Sequence, residues 1–139
     1  MRIHRLLPIL LLLVSPHAYT YDIQRSMDNL AEDVSTCVAY YTITIVNAKQ
    51  NAERMNDEKW RNIAKMYEPT LNHALDLLRL TMTGKPEAFV QSKIDLRMQG
   101  LLKVMETEGM DRLIYLEADS CKALMENPDI RLKYWQEKQ

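Results

Sequence analysis

The stretch DIQRSMDNLAEDVSTCVAYYTITIVNAKQNAERM, residues 22–55, decides the fold that this sequence predicts. Its apolar and small side chains recur at steps of three and four residues, which places them on one face of a helix. These residues are Ile23, Met27, Leu30, Val34, Cys37, Tyr41, Ile45, Ala48, Ala52 and Met55. We therefore expect one long helix from about Asp22 to Met55.

Residues 38–46, with the sequence VAYYTITIV, are the part of this stretch whose secondary structure is ambiguous. β-Branched and aromatic side chains fill it, and such side chains are enriched in strands. The steps of three and four residues continue without a break on both sides, which favours a helix. We expect a helix here and keep a strand as the alternative.

The second predicted helix begins after Asn56 and Asp57, which are typical of a helix N-cap. Its apolar face consists of Trp60, Ile63, Tyr67, Leu71, Ala74, Leu78 and Met82. Pro69 lies inside this helix, and a proline clashes with the carbonyl group four residues before it. The apolar spacing continues past Pro69, so we expect a kink and not a break. Gly84 is expected to end the helix.

The rest of the sequence predicts three further helices, separated by Gly109 and by the Asn127-Pro128 pair. Pro86 suits the first turn of the third helix. The apolar positions are Val90, Ile94, Met98, Leu101 and Met105 in the third helix, Met110, Leu113, Ile114, Cys121, Leu124 and Met125 in the fourth, and Ile130, Leu132, Tyr134 and Trp135 in the fifth. Scarce glycine and short connections predict an all-α fold, a four-helix up-down bundle with a short C-terminal fifth helix.

Residues 1–20 have the layout of a secretory signal peptide. Arg2 and Arg5 give a positively charged start, and residues 6–14 form an apolar core. That core is about half the roughly 20 residues that a permanent membrane helix needs. We therefore expect this segment to be removed during export.

Cleavage is expected after Ala18 or, preferably, after Thr20. Residues 21–139 then form a single helical domain. The mature protein is expected to be exported, which means periplasmic in a bacterium and secreted otherwise, with no membrane anchor after cleavage.

Two cysteines, Cys37 and Cys121, follow the signal segment. In an oxidising compartment an even number of cysteines most simply forms disulfides. Cys37 lies on the apolar face of the first helix and Cys121 on that of the fourth, and these helices are neighbours in an up-down bundle. One inter-helix disulfide is therefore predicted.

The charge of the mature chain argues against two classes of partner. Sixteen basic and nineteen acidic residues remain after cleavage, so the formal charge is −3. Nucleic-acid binding depends on neutralising phosphates with basic residues, so no nucleic-acid partner is expected. Electrostatic docking on anionic lipid is disfavoured for the same reason.

Catalytic and metal-binding motifs are missing from the sequence. His73 is the one histidine left after cleavage, and neither CxxC nor HExxH occurs. A zinc site uses three or four ligands at defined spacing, so no metal and no cofactor are expected. A nucleophile activated by histidine would have to use His73, and we do not expect an enzyme.

Five residues are candidates for an interaction surface. The apolar arc of the second helix is wider than a surface helix needs, so Leu77 and Leu80 face either the centre of the bundle or a second chain. Tyr40 either flanks the disulfide or reaches a partner. Tyr134 and Trp135 either anchor a partner or cover one end of the bundle.

The sequence therefore predicts a small exported protein that acts by binding another protein and not by catalysis. An inhibitor or immunity-type protein, an assembly subunit and a periplasmic chaperone are not ranked, and a homodimer is one form of the interaction. A carrier of a small apolar ligand, with methionines and Tyr41 lining the bundle interior, is the alternative. A weak enzyme case that depends on His73 is the second alternative.

Overall fold

The computed structural model describes residues 16–138, and the side chains from residue 20 onward. Five helices account for nearly all of this range, with no strand in it. They are α1 (Pro16–Met55), α2 (Glu58–Thr81), α3 (Glu87–Glu108), α4 (Met110–Glu126) and α5 (Pro128–Glu137). The predicted all-α bundle with a short fifth helix is confirmed, and the disulfide between Cys37 and Cys121 joins α1 to α4.

The ambiguous residues 38–46 form the middle of α1, so the strand alternative is wrong. α1 packs against all four other helices, and its middle is therefore buried on nearly every side. β-Branched and aromatic side chains fill this crowded position because tertiary packing overrides their weak preference for strands.

Polar side chains in the buried middle of α1 satisfy their own hydrogen bonds within the helix. The hydroxyls of Ser35, Thr42 and Thr44 each donate to the backbone carbonyl four residues earlier, at 2.7, 2.8 and 2.9 Å. This bonding removes the penalty for burying an unpaired hydroxyl. The helix can therefore carry serine and threonine at positions that other helices cover.

α1 begins at Pro16, six residues before the start that the sequence predicts. The side chains of residues 20–25 are exposed, so no other helix covers this end. Both predicted cleavage positions, after Ala18 and after Thr20, fall in the first turns of α1. The charged start and apolar core of the predicted signal peptide lie outside the described residues, and cleavage stays a prediction.

α2 runs back along α1 as one continuous helix that contains Pro69. Its N-cap is Asp57, whose carboxylate accepts a hydrogen bond from the backbone N–H of Lys59 at 2.9 Å, as predicted. Beyond the main core, a small separate cluster consists of α1 and α2 residues alone. Its members are Ile45, Ala48 and Ala64, with Trp60, Ile63, Tyr67 and Leu71 packed against them. The two helices thus form an extension with a thin core.

The main core lies where α1 meets α2, α3 and α4. Buried apolar side chains from these four helices fill it, Ala74 and Leu78 of α2 among them, and both cysteines of the disulfide belong to it. They include Leu30, Val34, Val38 and Tyr40 of α1, Val90, Ile94 and Leu101 of α3, and Leu113, Leu124 and Met125 of α4. No helix in residues 16–138 combines the length and apolar character needed to cross a bilayer.

α5 has no fully buried residue, and both apolar and polar contacts hold it: Leu132 and Trp135 pack partly buried against the main core. Asp33 of α1 accepts hydrogen bonds from Arg131 Nε at 2.7 Å and from Trp135 Nε1 at 2.6 Å. The Arg131 guanidinium also lies over the Tyr134 and Trp135 rings, 4.6 and 5.0 Å from their centroids. The Asp33 carboxylate therefore adds a polar link between the C-terminal helix and α1.

α3 is joined to α1 by Glu32, which accepts hydrogen bonds from Lys93 and Arg97. Burial alone would raise the pKa of Glu32. The hydrogen bonds and charges of Lys93 and Arg97 together lower it by more than burial raises it, so the net pKa lies below the usual 4.5. A lowered pKa in the folded state means that the ionised form stabilises the fold above pH 4.5. That contribution is lost as the pH falls through the folded-state pKa.

We expect Glu32→Gln to lower the free energy of unfolding by about 1 kcal/mol at pH 7, because all three partners are partly exposed. The difference from the wild type should shrink as the pH falls below 4.5, the usual pKa. Urea unfolding from pH 3 to pH 7 measures it. Glu106→Gln, an exposed change on α3, is the charge control. A gap that stays constant with pH would contradict the role assigned to Glu32.

Candidate interaction surface

An open groove of about 460 Å³ lies between α2 and α4, which contact each other only slightly. We call it the tyrosine trough, because Tyr40 and Tyr41 of α1 form its floor. The walls are Tyr67, Pro69, Thr70 and His73 from α2 and Ala118, Asp119, Lys122, Met125 and Glu126 from α4. The site thus has an aromatic floor and a rim that carries charges of both signs.

The tyrosines of the trough are packed together and largely withdrawn from solvent. The ring centroids are 5.2 Å apart for Tyr40 and Tyr41, and 5.8 Å apart for Tyr41 and Tyr67. Burial raises the pKa of Tyr41 to about 12, with the neighbouring Tyr40 and Tyr67 adding to the effect. The Tyr41 phenol is therefore protonated and uncharged at physiological pH, at the bottom of a trough whose charges lie on the rim.

His73 is exposed on the α2 wall of the trough. Both cysteines are bonded to each other, so neither is free to act as a nucleophile beside His73. Across residues 16–138, no three histidine, cysteine or acidic side chains are grouped as a metal site would require. His73 thus presents an exposed imidazole on the wall of the trough.

A second stripe of side chains runs along α2 beside the face that packs on α1. Met66, Thr70, His73, Leu77 and Leu80 follow each other at steps of four, three, four and three residues. At 100° per residue they fall within an arc of about 80°. We call them the α2 stripe, and Thr70 and His73 belong to both the stripe and the trough.

The α2 stripe is apolar at both ends and open to solvent. Met66 is 62% exposed and Leu80 is 67% exposed, while Leu77 is partly buried against the main core. Steps of four and three residues are the spacing by which one helix packs against another. The stripe therefore has the pattern of a helix-packing face and is not covered in the described structure.

The five residues that the sequence predicts for an interaction surface lie in three places. Leu77 and Leu80 belong to the α2 stripe, and Tyr134 and Trp135 lie together on α5, with ring centroids 5.1 Å apart. Tyr40 is 1% exposed, so it packs in the main core with Cys37 and Cys121 and has almost no surface to offer. Trp135 donates a hydrogen bond to Asp33 and packs against the main core, whereas Tyr134 is 40% exposed.

A second groove, of about 390 Å³, lies over the disulfide between α1, α4 and α5. We call it the disulfide groove. Its lining is Asp33, Thr36, Cys37, Glu117, Ser120, Cys121, Ala123, Leu124, Asn127, Ile130, Arg131 and Tyr134. Ile130, which is 69% exposed, and Tyr134 occupy positions one turn apart on α5.

Glu117 is one of several residues of this groove that the sequence pattern does not single out. It is half-buried on α4, and burial raises its pKa, while the charge of Arg97 partly opposes this effect. Glu117 lies four residues before Cys121, which places both on one side of a helix. That spacing signals its position, but nothing in the sequence alone indicates that its carboxylate lacks a partner.

Comparison with known proteins adds no relative to this description. No protein-family model, curated protein or solved structure matches the chain.

Proposed function

We propose that this chain is a small exported protein that binds another protein and does not act as an enzyme. The observation that carries the proposal is the α2 stripe, whose apolar ends are exposed beside an aromatic trough. Met66 lies at one end of the stripe, and Leu77 and Leu80 adjoin each other at the other end. Adjoining apolar side chains at a surface mark interaction sites more often than isolated ones do. An inhibitor, an assembly subunit and a chaperone would all use such a surface.

The geometry of the stripe favours an amphipathic helix as the bound element. A helix that lies along α2 would contact Met66, Leu77 and Leu80 at successive turns, which is the helix-in-groove mode of recognition. Its other side would cover the tyrosine trough, where Tyr67 and Pro69 provide apolar contacts. A second copy of this chain could supply that helix, in which case the product is a homodimer.

Site-specific photocrosslinking tests the proposal in the native host. The full chain carries a photoactivatable phenylalanine analogue at Leu80, at Leu77 or, as control, at Asn72. Asn72 is an exposed position of α2 about 80° or more from the side chains of the stripe. We expect one discrete protein adduct from Leu77 and Leu80 and none from Asn72.

The mass of the adduct identifies the kind of partner. An adduct of twice the chain mass indicates a homodimer, and any other single mass indicates a different protein. Equal labelling at all three positions, or no adduct at any of them, would contradict binding through the stripe. Mass spectrometry of the same preparation reports the mature N-terminus, and an uncleaved chain would contradict the proposed export.

A carrier of a small apolar ligand is the second candidate, favoured by one observation. The tyrosine trough combines a volume of about 460 Å³ with Tyr41 and Met125, residues of the types that the carrier interpretation places at the ligand. Native mass spectrometry of protein purified from its host separates the two functions. A bound small molecule would support the carrier, and a bare chain would leave protein binding as the proposal.

A further inference from the structure

We propose that the disulfide groove is a second docking site, separate from the α2 stripe, for a partner segment that pairs an apolar side chain with a lysine or arginine. This site would give the protein two binding faces. The inference does not depend on the function proposed for the α2 stripe, because the two surfaces share no residue.

The apolar part of the site comes from α5 and from the groove floor. Ile130 and Tyr134 are exposed by 69% and 40%, although large apolar side chains gain free energy by leaving water. Both line the groove, whose floor includes the buried Cys121 and Leu124. An apolar side chain placed between α5 and this floor would cover both exposed residues.

The charged part of the site is the carboxylate of Glu117. Two of the three charged residues in the lining, Asp33 and Arg131, bond to each other. Glu117 forms no hydrogen bond or ion pair with any other residue of the described chain. Arg97, whose charge acts on Glu117 and lowers its pKa, donates its hydrogen bond to Glu32 at 2.5 Å instead.

A half-buried carboxylate without a partner favours a cation from outside. Burial removes water from the carboxylate, and a charge-assisted hydrogen bond replaces that water better than a neutral one. Lysine or arginine next to an apolar side chain matches both features of the groove. The polar groups of Ser120 and Asn127, which line the same groove, are available to the backbone of the segment.

Selection from a phage-displayed library of random 12-residue peptides tests this proposal on the oxidised chain. We expect the enriched peptides to share an apolar residue with a lysine or arginine beside it. Fluorescence anisotropy of one enriched peptide should then show affinity reduced about tenfold by Glu117→Gln and by Ile130→Asp. Leu80→Glu, on the α2 stripe, is the matched control and should leave the affinity unchanged.

Several results would overturn the proposal. They are the absence of enriched peptides, enriched peptides without a basic residue, and binding that Glu117→Gln does not weaken. Binding that Leu80→Glu abolishes would assign the peptides to the α2 stripe, which separates failure of this site from failure of the proposed function. Circular dichroism of each variant confirms that it is folded before its affinity is compared.

Discussion

Removal of the Cys37–Cys121 disulfide is expected to lower the melting temperature of the folded chain by about 10–20 °C. The bond spans 84 residues of sequence. In the chain-entropy model, removing a crosslink that closes a loop of this length lowers the free energy of unfolding by about 4–5 kcal/mol. Both cysteines are buried in the main core, so the bond also holds α4 against the middle of α1.

Thermal unfolding followed by circular dichroism, with and without a strong reductant, measures this effect. The reduced wild type keeps both sulfur atoms in the core, whereas the Cys37→Ala and Cys121→Ala double variant also loses their packing. We expect the double variant to melt slightly below the reduced protein. The wild type is unfolded during the reduction, so that the reductant reaches the buried bond, and is then refolded and melted. A melting curve unchanged by this treatment would show that the two sulfurs are not bridged.

The helices of this protein could be predicted because their apolar spacing is regular and their ends carry strong signals. Asp57 caps α2, Gly109 separates α3 from α4, and Pro128 begins α5, each as the sequence indicates. The apolar spacing on both sides of residues 38–46 correctly predicted that this segment is helical. Local strand preference is weak compared with burial on nearly every side of a central helix.

The candidate surfaces were only partly predictable, because they depend on which faces the other helices leave open. Leu77 and Leu80 were selected by the width of the apolar arc on α2. Met66 was not, because it lies on the N-terminal side of Pro69, apart from the leucine-rich part of that arc. Tyr40 could be placed at a partner or beside the disulfide, and only the packing of α4 shows that it is buried.

The ion pairs that Glu32 and Asp33 form with distant residues could not be predicted from the sequence. Glu32 meets residues 61 and 65 positions away, and Asp33 meets residues 98 and 102 positions away. A single sequence contains no periodic signal for such pairings. The absence of a hydrogen bond or ion pair at Glu117 among the described residues is equally unpredictable, because it depends on which long-range pairs the neighbouring cations form, such as that of Arg97 with Glu32.

Tyr40→Ala is expected to lower the free energy of unfolding by about 3–5 kcal/mol, the range seen for large aromatic side chains truncated in a core. Tyr40 is 1% exposed and packs in the same core cluster as Cys37 and Cys121. Truncation would leave a cavity at the centre of the bundle and remove the ring that lies beside Tyr41. Urea unfolding at pH 7 measures the loss.

Tyr115→Ala is the matched control, since it makes the same chemical change at a side chain that is 78% exposed on α4. Its one aromatic contact is with Arg112, whose guanidinium lies 5.4 Å from the ring centroid, so a loss below about 1 kcal/mol is expected. Tyr40→Phe, which keeps the ring and removes the hydroxyl, should fall between the two. Equally small losses in the free energy of unfolding for Tyr40→Ala and Tyr115→Ala would contradict the placement of Tyr40 in the core. Contact with a partner, the other role that the sequence predicts for Tyr40, would then be the better interpretation. A large difference between them would assign Tyr40 to the core and leave the α2 stripe and the disulfide groove as the surfaces open to partners.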